Sequence, residues 1–215
     1  MLDDVLAAVT ARLPDRAGFV RVGVDGVDGS GKTTFAESLA AHLSAAGRDV
    51  VRIREDDFLN PRAVRYRLGR DSPEGYVADS YDLDRLRSDV LEPFAPGGTG
   101  RYRERSHDLA TDTALDPPWS QAPRDAVLVL DGMFLHRDEL VGTWDVSVLL
   151  DVPFSETCRR MALRDGSEPD PGHPSMWRYV EGQRLYLARC RPAERATLVV
   201  DNTDVADPRV VQPTR

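Results

Sequence analysis

Lysine is almost missing from this chain. Of its 28 basic residues only Lys32 is a lysine and the rest are arginine, set against 36 acidic residues for a net charge of -8. That acidic surplus argues against binding along a phosphate backbone and against an anionic membrane surface. Cysteine is scarce too. Cys158 and Cys190 fall in segments that read as separate helices, lack metal-ligand spacing, and read as reduced thiols rather than a disulfide framework. No apolar run approaches the roughly 20 residues that span a bilayer. Met1 to Leu13 carries Asp3 and Asp4 where a secretory leader carries positive charge, so a cytoplasmic protein is expected.

What is present suits one folded domain over residues 1–215, with 41% hydrophobic residues to build a core. Leu2, Val5, Leu6, Val9 and Leu13 recur at helical spacing. Phe19 to Asp25 alternates and is rich in valine, and reads as a strand. Lys32 to Ala46 reads as a helix stopped by Gly47, Asp49 to Arg54 as a strand, and Asp82 to Phe94 as a helix closed by Pro96-Gly97-Gly98. Residues 99–116 are polar and suit a small hairpin insertion. Ala126 to Leu130 is a continuous apolar run, as in a strand buried on both faces of a parallel sheet. Trp144 to Asp151 and Ala196 to Asp201 read as strands, and Phe154 to Leu163 and Ser175 to Cys190 as helices, with a loop from Gly166 to Pro174 between the two helices. Strands separated by helices imply right-handed crossovers and an α/β, mainly parallel, doubly wound sheet.

Gly26-Val27-Asp28-Gly29-Ser30-Gly31-Lys32-Thr33 fits G-x-x-x-x-G-K-[ST] in full, between a strand and a helix. Glycines let successive N–H groups turn inward on phosphate oxygens, and the helix that follows adds its positive end. Lys32 supplies a compact charge for the β and γ phosphates, Thr33 a hydroxyl for Mg²⁺, and Thr34 closes the loop. The loop explains the lone lysine: a planar guanidinium is too wide for a site that takes a point charge. Asp131, at the carboxyl end of the apolar strand, is the second candidate metal contact. Asp56, in Asp56-Asp57-Phe58 just after the second strand, is the candidate general base, placed to orient an acceptor hydroxyl and take its proton.

A switch GTPase reads guanine with Asn-Lys-x-Asp, and the only lysine is already in the phosphate loop. Two classes remain, a small-molecule kinase and a partner-regulated P-loop ATPase without a small-molecule acceptor. The phosphate loop, Asp56-x-Phe58, Tyr102-x4-His107, Asp131-Gly132 and the helix end Arg160 to Asp165 stand in the order of uridine kinase-like P-loop kinases, which they resemble over roughly residues 19–204. The resemblance implies a P-loop NTPase three-layer sandwich that uses ATP and Mg²⁺ and phosphorylates a primary hydroxyl. It also implies Asp56 as base, an arginine-bearing lid at about 164–174, and contacts of Tyr102 and His107 with a nucleoside such as uridine or cytidine. Phe58, Tyr76 and Asp79 are carried over as further substrate-side positions. Tyr76 stands where those enzymes have an acidic ribose contact, and Gly166 to Pro174 contains no arginine, so pantothenate, nicotinamide riboside and sugar phosphates stay open as acceptors.

Arg160 and Arg164 share a helix face and are candidates for clamping the transferring phosphate, while Glu156 and Arg160 also suit a surface i,i+4 pair. Arg62, Arg65, Arg67 and Arg70, interleaved with Tyr66, form the densest basic patch and read as a local anion site rather than a nucleic-acid surface. His42, His136 and His173 read as surface residues. The expected partner is a small-molecule substrate, with neither nucleic acid nor membrane; the oligomeric state, a homodimer included, stays open, as does the role of the tail Val205 to Arg215.

Overall fold

A computed structural model of the protein describes residues 1–211. The valine-rich segment after Phe19 forms β1 (Val20–Gly26), in which every residue but Arg21 is buried. Around it lie β2 (Val50–Arg54), β3 (Val127–Gly132), β4 (Val146–Asp151), β5 (Leu198–Asp201) and β6 (Arg209–Val211). They form one six-stranded sheet in the order β6-β5-β4-β1-β3-β2. All neighbours are parallel except β6, which runs antiparallel to β5. Thus β1 pairs with β3 on one edge and β4 on the other, and its carboxyl end opens where successive connections leave toward opposite sides of the sheet, the usual place for a ligand in such a fold.

Each face of the sheet carries its own core. On one side α1 (Leu2–Thr10) and α2 (Lys32–Ala45) contribute Val5, Leu6, Val9, Phe35, Leu39 and Leu43 against Val22, Val24, Val129 and Val148. On the other, Phe58, Leu86, Val90, Leu91, Phe94 and Leu135 cover Ile53, Leu128 and Leu130. Residues Val127 to Leu130 of β3 are wholly buried, and each such side chain taken out of water stabilises the fold by about 1.5–3 kcal/mol.

The helix expected over Asp82–Phe94 begins where predicted, with the Asp82 carboxylate accepting from the Arg85 N–H at 3.0 Å, but it makes only one α turn, Leu83–Leu86. It then widens into a π turn, Arg87–Leu91, which brings Leu91 to the same buried face as Leu86 and Val90. The polar insertion is a pair of nested ladders, Arg101–Tyr102 with Ser120–Gln121 and His107–Asp108 with Thr113–Ala114, so it reaches past Asp116. Three further helices frame the cleft: α3 (Pro73–Asp79), α4 (Phe154–Asp165) and α5 (Trp177–Cys190). Cys158 and Cys190 are free thiols on α4 and α5. Among the described residues no helix is long and apolar enough to cross a membrane. The end of the tail, residues 212–215, lies outside the described residues.

Candidate active site

The chain leaves β1 through Gly26 and turns back into α2 in a loop held from three sides. Gly29 has φ +72°, and a Cβ there would lie 2.6 Å from the Thr157 carbonyl oxygen of α4. Gly31, the N-terminal cap of α2, has φ +93°, and a Cβ would lie 2.9 Å from the Asn202 side-chain nitrogen. Both positions need glycine for conformation and for space. Asn202, just beyond β5, donates to the Ser30 carbonyl at 2.7 Å. Lys32 Nζ donates back to the Val27 carbonyl at 2.9 Å, so the ammonium sits over the loop it closes. Thr33 donates its hydroxyl proton to Asp131 at 2.7 Å.

Two contributors here had no sequence signal beyond β alternation or none at all. Arg52, the polar face of β2 between Val51 and Ile53, donates to the other Asp131 oxygen at 2.6 Å and to the Val129 carbonyl at 2.7 Å. His136 is a correction to its surface reading: it is 3% exposed. Its Nδ1 lies 2.6 Å from the Asp25 carboxylate and its Nε2 2.9 Å from Ser147 Oγ, while Tyr186 of α5 donates to the same carboxylate. Burial alone would raise the Asp25 pKa, but His136, Tyr186 and the Gly26 N–H together hold it below its ordinary value. A buried charge with this many partners fixes the root of the loop.

Asp56 stands on a 3₁₀ turn, Glu55–Phe58, that continues β2. It opens to the cleft but is walled in on its other sides. That desolvation raises its pKa, opposed by the Lys32 charge and by the Tyr81 hydroxyl, which donates at 3.0 Å; Asp28 and Asp131 push it further up. Asp57 turns away to Arg54 at 3.0 Å. Two cavities meet at Asp56. One, of about 420 Å³, is lined by Gly29, Gly31, Lys32, Thr33, Thr34, Asp131 and Arg160. The other, of about 380 Å³, is walled by Tyr66, Tyr76, Tyr81 and Tyr179 with Met133, Met176, Arg65 and Arg178. Asp28, Asp56, Met161 and Arg164 line both.

The remaining sequence candidates divide. Tyr76 lines the aromatic cavity, whereas Phe58, Asp79, Tyr102 and His107 line neither cavity. Phe58 is fully buried in the core, and Tyr102 packs edge-on against Phe94 at 5.3 Å. Apolar packing has claimed both rings. Asp79 is buried in a forked ion pair with Arg67, at 2.6 and 3.2 Å, and His107 is buried 3.2 Å from Asp112. Arg160 combines both of its readings. Its Nε pairs with Glu156 at 2.8 Å, and its Nη2 donates to both the Asn202 and Thr203 carbonyls at 2.8 Å beside the loop. Arg159 and Arg160 draw the Glu156 carboxyl down to about 2. Arg164 bonds Asp165 at 2.7 Å.

Two of the four arginines of the basic patch are committed to the scaffold: Arg65 donates to the Asn60 carbonyl at 2.8 Å and Arg67 is taken by Asp79. Arg178, which carried no sequence signal, donates to the carbonyls of Arg65, Gly69, Arg70 and Ser72 and lies over the rings of Tyr66 and Tyr76 at 4.9 and 5.3 Å. Among the described residues no group of three or more His, Cys, Asp or Glu side chains is arranged to hold a metal by itself.

No protein-family model matches the chain. It is 28% identical over 158 residues to nicotinamide riboside kinase 1 of Mus musculus, covering 70% of this chain and 69% of that one. It is 28% identical over 178 residues to the uridine kinase of Lactiplantibacillus plantarum, covering 80% and 78%. A dephospho-CoA kinase of Thermobifida fusca is 30% identical over 166 residues, covering 68% and 72%. Among solved structures, that of a possible uridine kinase from Bacillus stearothermophilus superposes with a TM-score of 0.71 and 25% identity, over 92% of this chain and 96% of the other.

Proposed function

The chain belongs to the uridine kinase-like P-loop kinases of small molecules, and we propose that it moves the γ-phosphate of ATP to a hydroxyl of a nucleoside. The observation that carries this reading is that the cavity at the phosphate loop and the aromatic cavity meet at Asp56, the carboxylate there that the Lys32 charge and the Tyr81 hydroxyl address. The acceptor oxygen bonds to the γ-phosphorus, the bridging bond to the β-phosphate breaks, and Asp56 takes the hydroxyl proton. Phosphoryl transfer is loose, so positioning and charge neutralisation contribute more than proton removal. Lys32 lies over the loop as a neutralising charge, and Arg164, at the wall of both cavities, stands beside the path of the transferring group.

The loop fits a nucleotide phosphate chain, since a Cβ at Gly29 or Gly31 would strike the surrounding frame and the α2 N-terminus points into the hollow. Mg²⁺ in such a site draws most of its ligands from phosphate and water. Thr33 and Asp131 are the residues to hold it, and the ion would supply charge neutralisation across the β and γ oxygens. Both Asp131 oxygens already accept hydrogen bonds, from Thr33 and Arg52. Asp131 therefore acts chiefly by fixing the Thr33 proton, which leaves the hydroxyl lone pairs free for the cation.

A nucleoside is favoured because the acceptor cavity is walled by Tyr66, Tyr76, Tyr81 and Tyr179, faces and edges suited to a heterocycle. A sugar phosphate is disfavoured because Arg65 and Arg178, which line this cavity, already donate to backbone carbonyls of the protein. The test is phosphoryl transfer from labelled ATP to uridine, cytidine, nicotinamide riboside, pantothenate and sugar phosphates. Transfer to one of the ribosides is expected; free phosphate alone across the panel would point to the partner-regulated ATPase instead. Asp56→Asn should keep ATP affinity and lose most turnover, on the order of 10²- to 10⁴-fold. In the unsubstituted enzyme the acidic limb of the kcat/KM profile should lie above that of an unperturbed aspartate, because Asp56 acts only when ionised and burial raises its pKa. Near-normal transfer by Asp56→Asn would refute the base assignment.

A further inference from the structure

Asp28 is an anion set in a loop shaped to receive anions, and its side chain lines both cavities. Unopposed, a carboxylate there would repel a triphosphate. Tyr76 of α3 donates its hydroxyl proton to Asp28 Oδ2 at 2.6 Å. Gln183 of α5 accepts from the Asp28 N–H at 2.7 Å, and its amide nitrogen lies 3.4 Å from the same carboxylate oxygen. The Tyr76 ring and Gln183 are buried, at 6% and 2% exposure. The ring is seated against the backbone of α5, since a Cβ on Gly182 would fall 2.7 Å from it. It also meets Tyr179 edge-on at 5.1 Å in the wall of the acceptor cavity.

We propose that Tyr76 and Gln183 are positioning residues that clasp Asp28, so that the wall of the acceptor cavity sets the geometry of the phosphate loop. The clasp rests on the reading of that loop as the ATP site. Its chemistry is well matched to the place. Both donors are neutral, so they satisfy the carboxylate without placing a second cation beside Lys32. Burial first, and then the Asp28 charge, push the Tyr76 phenol far above its ordinary pKa, which keeps it a donor at any working pH. Tyr76 and Gln183 come from two helices, α3 and α5, that pack directly against each other beside the acceptor cavity, so the loop is held only when those helices are in register. By the reciprocity of coupled sites, an acceptor that presses on the Tyr76 ring bears on nucleotide binding to the same extent as nucleotide bears on acceptor binding.

The experiment is calorimetric titration of the full chain with a non-hydrolysable ATP analogue and Mg²⁺, with no acceptor present. The proteins are the unsubstituted chain, Tyr76→Phe, Asp28→Asn and the double variant, with melting temperatures recorded alongside. Tyr76→Phe keeps the ring and removes only the proton donor. It should weaken the analogue roughly tenfold, the order expected for losing one hydrogen bond to a charged group. In the Asp28→Asn background, where no carboxylate needs a donor, the same substitution should change affinity less than about twofold. Gln183→Met approaches from the other arm and should weaken the analogue in the same direction. A tyrosine that served packing alone would show equal losses in both backgrounds. Equal losses, or no loss in Tyr76→Phe and Gln183→Met, overturn the clasp while leaving the ATP site standing. Failure of the unsubstituted chain to bind the analogue overturns the ATP site and the clasp with it.

Discussion

Glu55 and Asp56 adjoin in the chain but have opposite surroundings. Asp56 opens to the cleft, while the Glu55 side chain points inward, is fully buried, and has no hydrogen-bond partner for either oxygen among the described residues. A Cβ on Gly132 would overlap its carboxyl group, so glycine at that position makes room for it. Burial, with smaller pushes from Asp56 and Asp25, raises the Glu55 pKa well above its ordinary value, and Arg137 only partly opposes this. The folded state thus prefers the neutral acid. Its favourable contribution is complete below the unfolded pKa of about 4.3 and is lost as pH rises toward the raised folded value. Glu55→Gln mimics the neutral acid at every pH. The melting temperatures of Glu55→Gln and the unsubstituted chain should converge near pH 4 and separate as pH rises toward 9, with the variant higher by about 3 °C or more, since 1 kcal/mol is worth about 2–4 °C at this size. A gap that stays constant from pH 4 to 9 would show that Glu55 does not titrate in that range.

At the scale of elements the phosphate loop was legible because strand, loop and helix are contiguous and one motif spans them. What grips the loop was not legible: Thr157 on α4, Asn202 after β5, and Gln183 on α5 come from more than a hundred residues away. The acceptor wall was hidden for a related reason. It is built from α3, the first turn of α5 and a four-residue helix, Arg62–Arg65, too short and polar to give a period; of the aromatic positions the resemblance offered, Tyr76 lines it, while Phe58 and Tyr102 were drawn into the core. The grip on the loop can be tested through its glycines. Gly29→Ala forces a left-handed residue, at about 1–3 kcal/mol, and drives its methyl group into the Thr157 carbonyl. Displacing the loop by an ångström is enough to lower transfer by about 10²-fold. Gly47→Ala is the control, with φ +80° but nothing within 4 Å of a Cβ, and it should cost stability alone. Equal activity in the two variants would mean that α4 does not hold the loop.

For the molecule as a whole, alternation of strands and helices was enough to give a parallel, doubly wound sheet, but not the order β6-β5-β4-β1-β3-β2, because β1 and β3 pair across a hundred residues of intervening chain. β6, a three-residue antiparallel edge, was too short to announce itself. The same folding explains why Arg52 and His136 were misjudged or overlooked: each has meaning only beside Asp131 or Asp25, partners that the sheet supplies. Lys32 differs, because its partners lie in its own loop and its isolation among arginines was visible from composition. The site so assembled draws on β1, β2, β3, α2, α4 and the segment after β5, so a ligand filling it should stabilise the entire fold. At 100 times its dissociation constant a nucleotide analogue with Mg²⁺ adds about 2.7 kcal/mol, which corresponds to a rise of about 5–11 °C in melting temperature. Lys32→Arg keeps the charge, yet its planar head cannot sit over the Val27 carbonyl as the ammonium does at 2.9 Å. At the same analogue concentration this variant should lose most of the rise, and chelating Mg²⁺ should reduce it in the unsubstituted protein. If Lys32→Arg rises as far as the unsubstituted chain, charge alone serves the loop, and the single lysine has no chemical cause in it.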